Sequence, residues 1–119
     1  MGKDEQELED LKQILRRFAA DRDWDQFHSP KNLSMALTVE TAELLEHFQW
    51  LTEEASQHPG TPDLAKIREE LADIFIYLIR IADKLDISLL DAAREKIRDN
   101  ERKYPVDKSR GSSKKYTEL

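Results

Sequence analysis

The chain has 119 residues, with 25 acids against 19 bases, a net charge of −6 and 37% charged residues. That length suits one domain around a single hydrophobic core, and the acidic balance argues against binding along a nucleic acid polymer, whose phosphates call for a basic surface. Cysteine is absent, so neither a disulfide framework nor a thiolate metal site is available. With no apolar run for a signal peptide or a bilayer span, a cytoplasmic protein that stays out of membranes is expected.

Gly and Pro are few, 3 and 4, which favours long amphipathic helices over a turn-rich β architecture. From Glu5 to Ala20, the residues Leu8, Leu11, Leu15 and Phe18 mark one helical face, widened by Ile14 and Ala19. Asp21 to Pro30 breaks that period and reads as a loop carrying Trp24, Phe27 and His28. Ser29 before Pro30 predicts the cap of a second helix, running to about Gln49 with the stripe Leu33, Leu37, Glu40, Leu44 and Phe48. Thr52 to Pro62 carries the strongest break signals and reads as an exposed connector. Asp63 is then the expected cap of a central helix extending to about Asp86, with Leu64, Ile67, Leu71, Ile74, Leu78, Ile81 and Leu85 as its buried stripe. Ser88 or Asp91 starts a fourth helix to about Lys103, which Pro105 stops. The expectation is an all-α antiparallel four-helix bundle over residues 1–105, followed by a polar, basic tail over 106–119 that composition alone makes flexible. The central helix is apolar well round its circumference, more than one small bundle needs, so a partner subunit is expected.

Two acid pairs stand out against this pattern. Glu40-x-x-Glu43 and Glu70-x-x-Asp73 each put two carboxylates on one helical face. Glu40 occupies a stripe position, where a solvated-face explanation fails. If the two helices pack side by side, four oxygen-bearing groups converge, the donor set that magnesium prefers; without a cation they would repel one another or take up protons. A single such pair in so charged a chain is usually only a solvated face. Glu46, Glu53, Glu54 and Glu69 read as ordinary surface acids. A di-iron bundle is disfavoured because it needs Glu-x-x-His pairs, which this chain lacks. His47, four residues beyond Glu43, reads as a surface residue or a neighbour of the acids. Trp24, Trp50 and Tyr77 are able to stack on a nucleobase, although aromatics in a small bundle are more often core. Lys96, Asn100 and Lys103 share a face that suits phosphates, or simply answers the dipole at the end of their helix.

The segments E-T-A-E-L (40–44), E-E-L-A-D-I (69–74), F-Q-W (48–50) and K-Y-P (103–105) resemble the MazG-like all-α nucleoside triphosphate pyrophosphohydrolases. Within that family, R-D-W-D-Q-F-H-S-P-K-N-L and Y-P-V-D-K-S-R-G-S-S-K-K-Y-T are most similar to the dCTP pyrophosphatase branch. The resemblance covers nearly the whole chain. It implies hydrolysis of a nucleoside triphosphate to the monophosphate and pyrophosphate, with Mg²⁺ required and Mn²⁺ as a substitute. It implies that Glu40, Glu43, Glu70 and Asp73 are the metal ligands and carry the catalysis. By the same likeness Trp24, Trp50 and Tyr77 line the base pocket, with His28 beside Trp24 as a further substrate-binding candidate. Lys96 and Asn100 would hold phosphate or sugar. Assembly as a homodimer or homotetramer is implied too, with the tail folding over a neighbouring subunit. Where animal members of the branch carry a histidine on the first helix, Leu15 stands here, so a deoxynucleotide range broader than cytosine is expected. The competing reading is a helical module, for assembly or for nucleotide binding without turnover, whose acids are structural.

Overall fold

The computed structural model describes residues 2–119, and its elements are helical throughout. They are α1 (Lys3–Asp21), a 3₁₀ turn (Asp25–Phe27), α2 (Pro30–Glu46), α3 (Glu53–Ser56), α4 (Thr61–Lys84), α5 (Leu89–Lys103), α6 (Val106–Ser109) and a 3₁₀ turn (Tyr116–Glu118). Packing divides the chain into two compact units, the first ending at Asp86 and the second spanning Ile87–Leu119. No helix among the described residues is long and apolar enough to cross a membrane.

Local chemistry sets the helix starts. The Ser29 hydroxyl accepts the Asn32 N–H at 3.1 Å, and Pro30 follows at a position whose N–H would be unpaired in any case. At its other end α2 stops at Glu46, three residues short of Gln49, because His47 and Phe48 bond back to Leu44 and Leu45 and tighten the chain into a turn. The connector is less irregular than expected: Thr52 caps the single-turn helix α3 by accepting from Ala55 at 3.1 Å. α4 begins earlier than Asp63. Gly60 is its cap, Pro62 lies within the first turn, and Asp63 instead offers a negative charge to the helix N-terminus. Ser88 caps α5 through Asp91.

In the first unit α2 lies along α4 and α1 packs on α4, so α4 is the common element. Among the described residues the buried apolar side chains are Ala19, Leu33, Ile67, Ile79 and Ala82. The stripe expected for α2 is seated inward, Glu40 included. That of α4 is rotated. Ile67, Ile74 and Ile81 are buried or half-buried, but the residues that share their line are Glu70 and Tyr77, while Leu64, Leu71, Leu78 and Leu85 stay exposed. The apolar spacing alternated between two neighbouring faces, and the acid-bearing side is the one turned to α2.

In the second unit the segment after Pro105 is folded, not a featureless tail. The Tyr116 ring meets Tyr104 at 6.1 Å and 82°, and the Lys103 ammonium sits 4.9 Å from the Tyr116 ring centre. An edge-to-face pair and a cation over a ring supply local contacts that composition does not reveal.

Candidate active site

The packing of α2 against α4 brings Glu40, Glu43 and Glu70 together: one carboxylate oxygen from each lies within 4.8 Å of the other two. All three are half-buried. Glu40 Oε2 and Glu70 Oε2 are fully out of water and have no hydrogen-bond partner in the protein. A buried carboxylate oxygen without a donor is costly, and the surroundings add to that cost. The Glu40 carboxyl is pushed up to about 7, first by burial, then by the charges of Glu43 and Asp73 and by its contacts with the Glu70 and Glu43 carboxyls. Asp73 is exposed and stands outside the trio, yet near enough to act on Glu40. A hard divalent cation relieves all of these penalties at once, so the residues present fit a metal ion.

The remaining candidates take up separate places. Tyr77, one turn beyond Asp73, has its hydroxyl pKa raised by burial and then by Glu40, Asp73 and Glu43, which sets it beside the acids. His47 Nε2 lies 3.7 Å from Glu70 Oε1, making it a neighbour of the cluster from the end of α2. Trp24 is 43% exposed, with its ring against Phe18 at 5.6 Å and His28 at 6.2 Å. Trp50, in the turn after α2, is 88% exposed. Lys96 and Asn100 are exposed on one face of α5, in the second unit.

Sequence reasoning missed a group of charges at the end of α4. Arg80 is 4% exposed, and its guanidinium reaches Asp25 at 2.9 Å, His28 Nδ1 at 3.2 Å and Asp83 at 3.6 Å. Arg16 grips Asp83 with two bonds of 2.5 and 2.7 Å, and Lys84 donates to Asp25 at 3.1 Å. Arg16, Ala20, Asp25, Arg80, Asp83 and Lys84 line a cavity of about 400 Å³. The signal was present: Asp73, Tyr77, Arg80 and Lys84 recur at steps of four, three and four, on one line of α4.

Comparison with known proteins adds a family. The model of the MazG-like family matches residues 35–119. The dCTP pyrophosphatase 1 of Mus musculus is 45% identical over 114 residues, covering 94% of this chain and 67% of the relative. That of Homo sapiens gives the same figures. Among solved structures, a pyrophosphatase from Archaeoglobus fulgidus superposes with a TM-score of 0.73 at 39% identity, over 83% of this chain and 93% of the other.

Proposed function

Because this chain belongs to the MazG-like family, we propose that its acid cluster is the centre of a nucleoside triphosphate pyrophosphohydrolase. Water adds to the substrate between its α and β phosphates, and a nucleoside monophosphate and pyrophosphate leave. The observation that carries this reading is the convergence of Glu40, Glu43 and Glu70 with two buried carboxylate oxygens unpartnered. The names of the relatives point to dCTP, or a modified dCTP, as substrate. Leu15, half-buried on α1, is apolar where a base-reading side chain would need a hydrogen bond, which favours a broader deoxynucleotide range.

Glu40, Glu43 and Glu70 would hold the divalent ion, with Asp73 completing the set from its exposed position; Mg²⁺ suits four carboxylates, and Mn²⁺ can stand in. When bound, such an ion screens the triphosphate, polarises phosphorus and lowers the pKa of a water. The chain's own contribution is placement. His47 beside Glu70 orients that carboxylate, as the outer partners of metal ligands commonly do. Tyr77 borders the acids, and Arg80 lies seven residues on from Asp73, about 10 Å along the axis at 1.5 Å per residue. That separation suits phosphates at the acids and a base at the Trp24 loop, with Trp24, His28 and Trp50 as the stacking and base-contacting groups. Lys96 and Asn100 are the candidates for phosphate or sugar contacts from α5. The exposed leucines of α4 are the face on which a homodimer or homotetramer would form.

Incubation with each dNTP and NTP and with 5-methyl-dCTP, in Mg²⁺ and in EDTA, with products separated by ion exchange, tests the reaction. Monophosphate and pyrophosphate should appear only with the metal and fall at least a hundredfold in Glu40→Gln, roughly the loss of several kcal/mol of charge stabilisation. Diphosphate with orthophosphate would refute the bond assignment, and no product from any nucleotide would return the acids to a structural role.

A further inference from the structure

The loop that carries Trp24 and His28 has almost no burial to hold it. Residues 20–27 are all exposed, and Asp23 sits at φ 53°, a left-handed conformation that costs an aspartate free energy. Within the loop and its flanks, Trp24 N–H bonds to Ala19 at 2.9 Å, the Gln26 side chain bonds to Asp23, and Asn32 donates to the Phe27 carbonyl. These bonds fold the loop on itself but do not fix it against α4. That task falls to Asp25 and His28, which meet Arg80 and Lys84 across more than fifty residues of sequence.

Arg80 is well chosen as an anchor. It is nine-tenths and more buried, on a helix packed by both α1 and α2, and Asp83 holds its second nitrogen while Arg16 holds Asp83. The cations and carboxylates that line the cavity pair with one another, and the buried Arg80 Nε is left without a hydrogen-bond partner. A planar guanidinium with fixed neighbours defines the position of what it binds better than a surface lysine does.

We propose that Arg80 and Asp25 are positioning residues for the nucleotide site: the chain of contacts Arg16–Asp83–Arg80–Asp25–Lys84 fixes the Trp24–His28 loop at the base end. This rests on the reading of Trp24 as a base-stacking residue. Neither Arg80 nor Asp25 touches the substrate. Each lowers the cost of ordering the loop before the base arrives, so their loss acts on affinity and leaves the hydrolytic step at the acids unchanged.

The test uses the full chain with Asp25→Asn and Arg80→Lys. Steady-state kinetics in Mg²⁺ on the best nucleotide should show KM raised about 10-fold, equivalent to 1.4 kcal/mol, with kcat within about twofold. In a separate Trp50→Phe background, where Trp24 is the sole tryptophan, acrylamide quenching should rise in both variants while the far-ultraviolet helix signal is retained. If Arg80→Lys does not fold, Asp25→Asn decides alone, since Asp25 is exposed and its loss leaves Arg80 paired with Asp83. Unchanged quenching and KM, or a fall in kcat at constant KM, would overturn the proposal. Trp24→Ala separates the two ideas: if it leaves KM unchanged the base-stacking reading fails, whereas quenching of Trp24 still reports whether the clamp holds the loop.

Discussion

Glu40 is a glutamate on a stripe that should be apolar, and its surroundings make its charge expensive. Its folded-state pKa, pushed up to about 7, lies above the ordinary glutamate value of 4.5. For an acid raised in this way the folded state binds more protons than the unfolded one between those two values, so stability falls as pH rises through that window. The penalty is absent below pH 4.5 and complete above pH 7. In EDTA, Glu40→Gln should therefore stabilise the protein at pH 8 by about 1–3 kcal/mol, at 1.36 kcal/mol per pKa unit and discounted for the partly open site. At pH 4.5 the gain should vanish, and urea unfolding at the two pH values measures the difference. Adding Mg²⁺ at pH 8 should reverse the order, since a cation on the acids stabilises the wild type by mass action and finds one carboxylate fewer in the variant. A variant no more stable than the wild type at pH 8 without metal would mean that the acids are not crowded in solution.

At the scale of elements, the start of α2 is defined by one hydroxyl and by one leucine in its first turn. Ser29→Ala should cost about 1 kcal/mol, the usual value of an N-cap bond. Leu33, 2% exposed, should cost about 2–5 kcal/mol when cut to Ala, because the cavity left under a packed helix refills poorly. Thermal unfolding of both variants checks the ordering, and equal small losses would mean that α2 is not packed on α4 as described. These features were legible in the sequence because they are local: Ser-Pro before an apolar run is a start signal whatever the rest of the chain does. So were the two acid pairs, since spacing by three fixes a face. The rotation of α4 was not legible. Ile67 and Leu71 are both apolar and differ by only about 40° around the axis, so periodicity cannot say which of them meets α2. The place of Arg80 on the acid-bearing line of α4 was legible from spacing, but its partners were not, because Asp25 and His28 belong to a loop whose position is decided by tertiary contacts. The 3₁₀ turn and the packing of Tyr116 on Tyr104 likewise depend on neighbours that no helical period announces.

For the whole molecule the apolar side chains left outside weigh most. Leu64, Leu71, Phe75, Leu78 and Leu85 follow steps of seven, four, three and seven along α4 and are all a third to a half exposed or slightly more. This is the repeat of a helix-packing seam, and no element of the first unit covers it. Covering the remaining area of each side chain is worth about 1 kcal/mol, so a two-fold pair of such faces gains roughly 10 kcal/mol before the cost of association is set against it. A closed homo-oligomer, in which the same face meets its own copy, satisfies this with no further partner. The wild type is expected to associate through this face at micromolar concentration in sedimentation velocity, and Leu71→Glu with Phe75→Glu, which places two charges on each face, should leave monomers. The helix content of the dissociated chain should fall little, because Ile67, Ile79 and Ala82 remain buried within one copy. A wild type that already sediments as a monomer at 50-fold higher concentration would show that the seam faces water. Nucleotide hydrolysis retained in a monomeric variant would then place every group needed for the reaction within one chain, whereas its loss on dissociation would tie the exposed Trp50 or the α5 residues Lys96 and Asn100 to a neighbour's acids.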